Sequence, residues 1–406
     1  MGNWTTTTVG DFCPFQYGKS LNQSDRNYGN VPVYGSNGII GYHNEALINC
    51  RGVIIGRKGT VGAVHYSDKP FFPIDTTFYV PETSDKDIRF IYYLLKSIGL
   101  ELMNSDSAVP GLNRTAAHSR LICVPELLFE QRAIAEVLGS LDDKIALNRR
   151  MNQTLEALAQ AIFKSWFIDF EPVRAKMEGR PPAGMDAEMA TLFPDAMDGD
   201  LPSGWKVSTI GKEVKVVGGS TPSTQEPTFW INGQHHWVTP KDLSSLQSPV
   251  LLDTERRISQ AGVNQISSGL LPIGTVLLSS RAPIGYIAIS EIPVAINQGF
   301  IAMICDNVLP NYYVWLWVRE NLGAIKSQAN GTTFQEISKT SFRPIPVIVP
   351  SSRVLNSFVN MVAPLYQRMV SNLRETKILA GLRDLLLPRL LSGEVKVDNL
   401  ENQSGL

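Results

Sequence analysis

The sequence is poor in the features that mark an enzyme. Its four cysteines, Cys13, Cys50, Cys123 and Cys305, are scattered without a Cys-x-x-Cys pair, which argues against a disulfide framework and a zinc ribbon. No apolar run reaches membrane-spanning length, and the opening MGNWTTTTVGDF has no signal core, so a cytoplasmic protein is expected. Neither sign of charge is in surplus: 37 basic against 38 acidic residues leave a net charge of −1. That balance neither announces nucleic acid nor excludes it, because patches rather than totals make an electrostatic footprint.

Catalytic signatures are missing as well. Gly18-Lys19-Ser20 has Cys13 where a phosphate loop needs its first glycine. There is no Gly-rich fingerprint for a dinucleotide or adenosyl cofactor, and no Asn-Pro-Pro-aromatic tetrapeptide of the amino-methylating DNA methyltransferases. Asp195 with Glu213 and Lys215 fits a nuclease-like spacing only formally, since it begins in a breaker-rich stretch rather than on a core strand. His235 and His236 are adjacent, so in a strand they point to opposite faces, and no acidic or cysteine cluster joins them. No catalytic residue, metal set or cofactor is assigned to this chain.

What the sequence does have is a duplicated helix. Ile134, Leu138, Leu141, Ile145, Asn148, Asn152, Leu155, Ala159, Ile162 and Trp166 step by four and three, the heptad spacing that keeps one stripe toward a partner helix. The same series returns 224 positions later, from Phe358 to Leu390, with Asn372 and Thr376 in the places of Asn148 and Asn152. Laid antiparallel in full overlap, the copies bring Asn148 to Thr376 and Asn152 to Asn372. Such a polar layer costs stability but specifies register. Gly139 with a Ser140–Asp143 capping box, and Pro364 at the matching place, predict that each copy is a short helix, a break and a long helix. The long piece would span roughly 45 Å.

In chain order, residues 1–124 read as strands and turns with one amphipathic helix over 88–102, and residues 125–171 as the first spacer helix. Residues 172–204 read as a Pro/Gly-rich linker with at most a turn or two of helix near Met185. Residues 205–349 repeat the first segment, 350–397 form the second spacer, and 398–406 a tail. Trp4, Val9 and Gly10 match Trp205, Ile210 and Gly211 at an offset of 201, whereas Lys58 and Gly62 match Arg281 and Gly285 at 223. The halves therefore share a frame and differ in their insertions.

The remaining polar features suit nucleic acid. Arg57, Lys58 and Thr60, and again Ser280 and Arg281, place basic and hydroxyl groups in Gly/Pro turns where backbone can approach phosphate. Asn113, Arg114 and His118 in the first half, and Gln328, Thr332, Thr333 and Gln335 in the second, offer groups of the kind that read base edges. Lys241 and Gln298, each beside a turn, join the second set.

PELLFEQRAIAEVLGSLDDKI, FKSWFIDFEPVRAKMEGRPPAGM, LFPD and PSGW resemble the central conserved region of type I restriction–modification specificity subunits. IPVIVP and LRDLLLPRLLSGEVKV resemble that family's distal conserved region. The resemblance covers the whole chain and implies an α+β protein: two β-rich mixed target-recognition domains separated by two long helices in an antiparallel coiled coil. It implies a non-catalytic subunit whose domains each read half of a bipartite, asymmetric DNA target. The helices would set the spacing and dock two methyltransferase subunits, and motor–nuclease subunits would complete the complex. S-adenosylmethionine, ATP and magnesium would belong to those partners. Arg383 departs from the apolar seam and is expected to face a partner subunit. A stand-alone methyltransferase would need a cofactor region for which no stretch has room, and a coiled-coil adaptor would not need two β-rich domains.

Overall fold

A computed structural model describes residues 3–103, 111–331 and 335–397. The chain divides into two compact units, one of residues 1–147 with 375–406 and one of residues 148–374. In the first unit lie β1 (Trp4–Thr8), α1 (Val9–Phe12), β2 (Gln16–Tyr17), β3 (Val31–Gly35), β4 (Gly38–His43), β5 (Gly52–Gly56) and β6 (Val64–Ser67). There follow β7 (Phe72–Pro73), β8 (Thr77–Pro81), α2 (Ile88–Ser97), α3 (Arg114–His118), β9 (Leu121–Pro125) and the long α4 (Leu128–Phe167). From Asn148 onward α4 belongs to the second unit, which continues with α5 (Glu171–Met177), α6 (Ala187–Thr191) and the hairpin strands β10 (Met197–Asp198) and β11 (Leu201–Pro202).

The second unit then repeats the order with β12 (Lys206–Thr209), α7 (Ile210–Glu213), β13 (Lys215–Gly218), β14 (His235–Val238), α8 (Pro240–Ser244), β15 (Val250–Leu251), β16 (Arg256–Ile258) and α9 (Gln260–Val263). It continues through β17 (Val276–Ser279), β18 (Ile287–Ser290), β19 (Val294–Ile296), β20 (Phe300–Ile304) and α10 (Asn311–Glu320). α11 (Leu322–Ser327), α12 (Lys339–Phe342), β21 (Pro346–Val349) and the long α13 (Ser352–Leu391) follow, α13 belonging to the first unit from Glu375 onward.

The two units share one topology. Sheet β2-β8-β5-β6 of the first corresponds to β13-β20-β17-β18 of the second, which adds β15 at its edge. The smaller sheet β4-β3-β7 corresponds to β16-β14-β19, with the same parallel pairing of β3 to β7 and β14 to β19. The drift in offset has a structural address: β3 and β4 form a tight hairpin, whereas α8 and β15 are inserted between β14 and β16. Every residue of β5, GVIIG, is buried, as its unbroken apolar run requires of a strand covered on both faces. α2 begins where Asp87 Oδ1 accepts the Phe90 amide and packs Ile91, Leu94 and Leu95 inward.

Both long helices are continuous over 40 residues, about 60 Å each, which corrects the expected break. The residues read as a restart are spent elsewhere. Ser140 Oγ donates back to the Val137 carbonyl, and Asp143 receives the Arg89 guanidinium at 2.6 and 2.9 Å. Arg89 also donates to the Gly139 carbonyl, and a Cβ at Gly139 would sit 2.6 Å from its Cζ, so this glycine makes room for an arginine. Pro364 and Asn360 lie on the exposed face of α13, so the carbonyl that loses its bond faces water. The 172–204 stretch is also more ordered than its breakers suggest: α5 and α6 form, and Val173, Ala175 and Phe193 are buried in the second unit's core.

The helices pack antiparallel within each unit. In the second, Asn372 Nδ2 donates to Asn152 Oδ1 at 2.8 Å, Asn152 Nδ2 to the Met369 carbonyl at 3.3 Å, and Phe358 lies edge-on to Phe167 at 5.0 Å. Asn148 Nδ2 reaches the Asn372 carbonyl at 3.5 Å, while Thr376 lies a turn further along α13, in the first unit. In that unit Lys144 pairs with Glu375, and Arg383 Nη1 with Asp142 Oδ1 at 2.6 Å. Arg383 therefore faces α4, correcting the expectation that it meets a partner subunit. Asp142, which also accepts the Tyr93 hydroxyl at 2.8 Å, makes a charged seam position satisfiable.

Candidate nucleic-acid interface

In the first unit β5 delivers the chain into the turn Arg57–Gly62. Gly62 adopts φ +73° and donates to the Gly56 carbonyl at 2.8 Å. A side chain there would meet the Leu100 backbone at 2.3 Å, so the turn requires glycine. The amides of Arg57 and Lys58 share the Thr76 carbonyl at 2.9 and 3.1 Å, and the Arg57 carbonyl accepts from Leu112 at 2.9 Å. Lys58 bridges to Gly111, which draws the later loop alongside.

This pinning builds a basic and aromatic cluster. Arg57 donates to the Asp75 carbonyl at 3.0 Å, and its guanidinium lies 5.1 Å from the centre of the Tyr17 ring. Arg114 lies over the same ring at 4.8 Å, aligned by Asn113, whose Oδ1 caps α3 through the Ala116 amide. Tyr17 is half exposed and rests edge-on against Phe78. Two like charges gathered on one exposed ring make a positive, stacking-capable surface. Lys58 and Thr60 stand exposed on the turn beside it. His118 turns inward: its Nε2 accepts the Phe15 amide at 2.9 Å, and burial, then the nearby Arg114, hold its pKa below the ordinary histidine value.

The second unit repeats the frame with other side chains. Gly285 adopts φ +122° and donates to the Ser279 carbonyl at 3.2 Å, the counterpart of the Gly62 bond. Ser280 donates its amide to the Gly299 carbonyl at 2.8 Å and accepts from Ile337 at 3.1 Å. Its residue is only 2% exposed, so it forms the wall behind the turn rather than a surface. Arg281 bridges to Glu336, with 3.6 Å between Nη1 and Oε2, and Asn330 bridges to the same residue. Arg281, Asn330 and the exposed Gln335 thus share one edge, with the exposed Gln328 two residues before Asn330. Gln298 is exposed and accepts the Thr221 hydroxyl at 2.5 Å, and Lys241 on α8 pairs with Glu255 at 2.8 Å. Thr332 and Thr333 lie outside the described residues.

Burial pushes the Cys13 and Cys305 thiols up to about 12, far from the thiolate a nucleophile needs. Among the described residues no group of three or more His, Cys, Asp or Glu side chains is placed to hold a metal ion. His236 Nδ1 instead meets the Thr254 hydroxyl at 3.1 Å. No helix of the described residues is long and apolar enough to cross a membrane.

Comparison with known proteins supplies the family. The type I restriction modification DNA specificity domain matches twice, over residues 1–157 and 202–354. The chain belongs to this family. It is 29% identical over 383 residues to the HindI specificity subunit of Haemophilus influenzae, covering 81% of this chain and 82% of that one. It is 26% identical over 322 residues to the MjaIX specificity subunit of Methanocaldococcus jannaschii, covering 77% and 70%. A crystal structure of a type I restriction–modification S subunit from M. genitalium superposes with a TM-score of 0.63 at 18% identity, over 96% of both chains, and shares the fold.

Within this specificity-family chain, sequence reasoning missed Tyr17 altogether. Its signal was an aromatic two residues before a lysine in FQYGKS, a stretch read only as a failed phosphate loop. The partnership of Tyr17 with Arg57 and Arg114, 40 and 97 positions away, exists only in the folded chain.

Proposed function

We propose that this chain is the non-catalytic sequence-reading subunit of a type I restriction–modification complex. Each unit reads one half of a bipartite, asymmetric DNA target, the first through Arg57, Lys58, Thr60, Asn113 and Arg114, the second through Lys241, Arg281, Gln298, Gln328, Thr332, Thr333 and Gln335. The single observation that carries this reading is the repeated pinning of a basic turn to a distant loop, Lys58 to Gly111 and Arg281 to Glu336, with different side chains around each. One scaffold presenting two dissimilar polar edges suits two readers of dissimilar sequence. Family membership and the matched relatives support the same reading.

On this reading α4 and α13 set the distance between half-sites and dock two methyltransferase subunits, to which motor–nuclease subunits are added. S-adenosylmethionine, ATP and magnesium are bound by those partners. Purified chain mixed with S-adenosylmethionine and cognate DNA is expected to transfer no methyl group until methyltransferase subunits are added. Methylation by the isolated chain would refute the assignment, as would a complex whose target selection yields one contiguous site.

A further inference from the structure

A hairpin tip in the first unit stands directly beside the basic turn. β3 and β4 pair antiparallel from Val31 with His43 to Gly35 with Gly38, and close through Ser36 and Asn37. Ser36 is buried, and its hydroxyl donates to the Thr76 carbonyl at 2.7 Å, the same oxygen that accepts the amides of Arg57 and Lys58. One carbonyl therefore fastens the tip to the turn that carries the guanidinium cluster.

The strand leaving that tip is apolar where it faces water. Its exposed apolar residues are Ile39, Ile40 and Tyr42, and Ile40 is the extra residue of a β-bulge, since Val33 pairs with Gly41 and Tyr34 with Ile39. They are 50%, 43% and 52% exposed in that order. Ile40 sits over Gly35, where a Cβ would meet its Cγ2 at 3.1 Å, so the backbone holds the side chain in place. An apolar stripe fastened beside a positive patch calls for an occupant that is anionic at its edges and apolar within. The major groove of a duplex fits: phosphates line its rims, thymine 5-methyl groups project into it, and its width admits a two-stranded ribbon. The corresponding place in the second unit is built differently. There β14 runs into α8, Pro240 approaches Gly299 as Ser36 approaches Thr76, and Lys241 is paired to Glu255.

We propose that the β3–β4 tip is a further base-reading element of the first unit and that Ile40, flanked by Tyr42, contacts a thymine 5-methyl group in the first half-site. Arg57, Lys58 and Arg114 hold the neighbouring phosphates. The inference rests on the DNA-reading function proposed above and adds to it the chemical class of the base that is read.

The test uses the full chain expressed with its methyltransferase subunits, on a target found by selection from random duplexes. Each thymine is then replaced singly by uracil, which removes only the methyl group. At one or two positions of the first half-site, uracil is expected to weaken binding about three- to fivefold, the loss for roughly one buried methyl. In Ile40→Ala that penalty should vanish while discrimination in the second half-site stays unchanged. A penalty of full size in Ile40→Ala, or no uracil-sensitive thymine in the first half-site, overturns the proposal. So does an Ile40→Ala protein that discriminates normally but loses a copurifying subunit, which would assign the tip to a protein partner. Ile40→Ser, whose side chain carries no methyl group, replaces the alanine variant should that one not fold, with the same outcomes. Failure of the underlying reading looks different: the unaltered chain would select no preferred sequence in either half.

Discussion

The Asn372 side-chain amide donates to Asn152 Oδ1 at 2.8 Å inside the helix pair, where both residues are at most 2% exposed. Asn152 in turn donates to the Met369 carbonyl, so the two amides satisfy each other and the backbone in one buried layer. Replacing either alone strands a buried polar group, a loss of about 1–3 kcal/mol. Asn152→Leu and Asn372→Leu are each expected to lower stability by about that amount, and the double variant to recover most of it. A double-mutant cycle by chemical denaturation checks this, and additive losses would mean that the pair is not coupled.

The half-sites should respond separately. Lys58→Ala or Arg114→Ala is expected to weaken binding through the first half-site, and Arg281→Ala or Gln335→Ala through the second. A lost base contact costs about 1–3 kcal/mol at one position, whereas a lost phosphate contact weakens all sequences alike. Titration against duplexes altered in one half at a time distinguishes the two. Equal relaxation in both halves would end the modular reading.

His118 makes the first unit sensitive to acid. Its folded pKa is depressed, by burial first and by Arg114 second, so the folded state binds the proton less readily than the unfolded chain. Stability should therefore hold above the unfolded value, near pH 6.5, and decline as pH falls below it toward the folded pKa. Protonated Nε2 can no longer accept the Phe15 amide, so hydrogen exchange at that amide should accelerate between about pH 7 and 5 beyond the intrinsic trend. His118→Gln should flatten that dependence.

If the helices act as a ruler, lengthening both should lengthen the spacer. Four residues inserted after Asn152 add about one turn, ~6 Å, and push every later position of α4 out of match. A second insertion of four between Ser371 and Asn372 is expected to restore pairing. The doubly extended chain should then prefer a spacer longer by about two base pairs, at ~3.4 Å each. Selection from a library of randomised spacer length reads this directly, and an unchanged preference would leave the helices with a docking role only.

Periodicity is local, and what is local was legible. The heptad series, its return 224 positions later and the matched Gly turns follow from residue order alone, because helices and turns are specified by neighbours a few positions apart. Together with the conserved-region resemblance they determined the duplicated architecture and the family. Juxtaposition is not local, and the tertiary structure decided it. Gly139 reads as a helix breaker until Arg89, fifty positions earlier, is found lying across it. Arg383 reads as an outward charge until Asp142 meets it, and Ser280 as a surface hydroxyl until Gly299 and Ile337 bond its backbone and bury it. Tyr17 becomes part of a positive surface only when Arg57 and Arg114 converge on its ring, because a charge cluster assembled from three distant segments leaves no periodic trace in any of them.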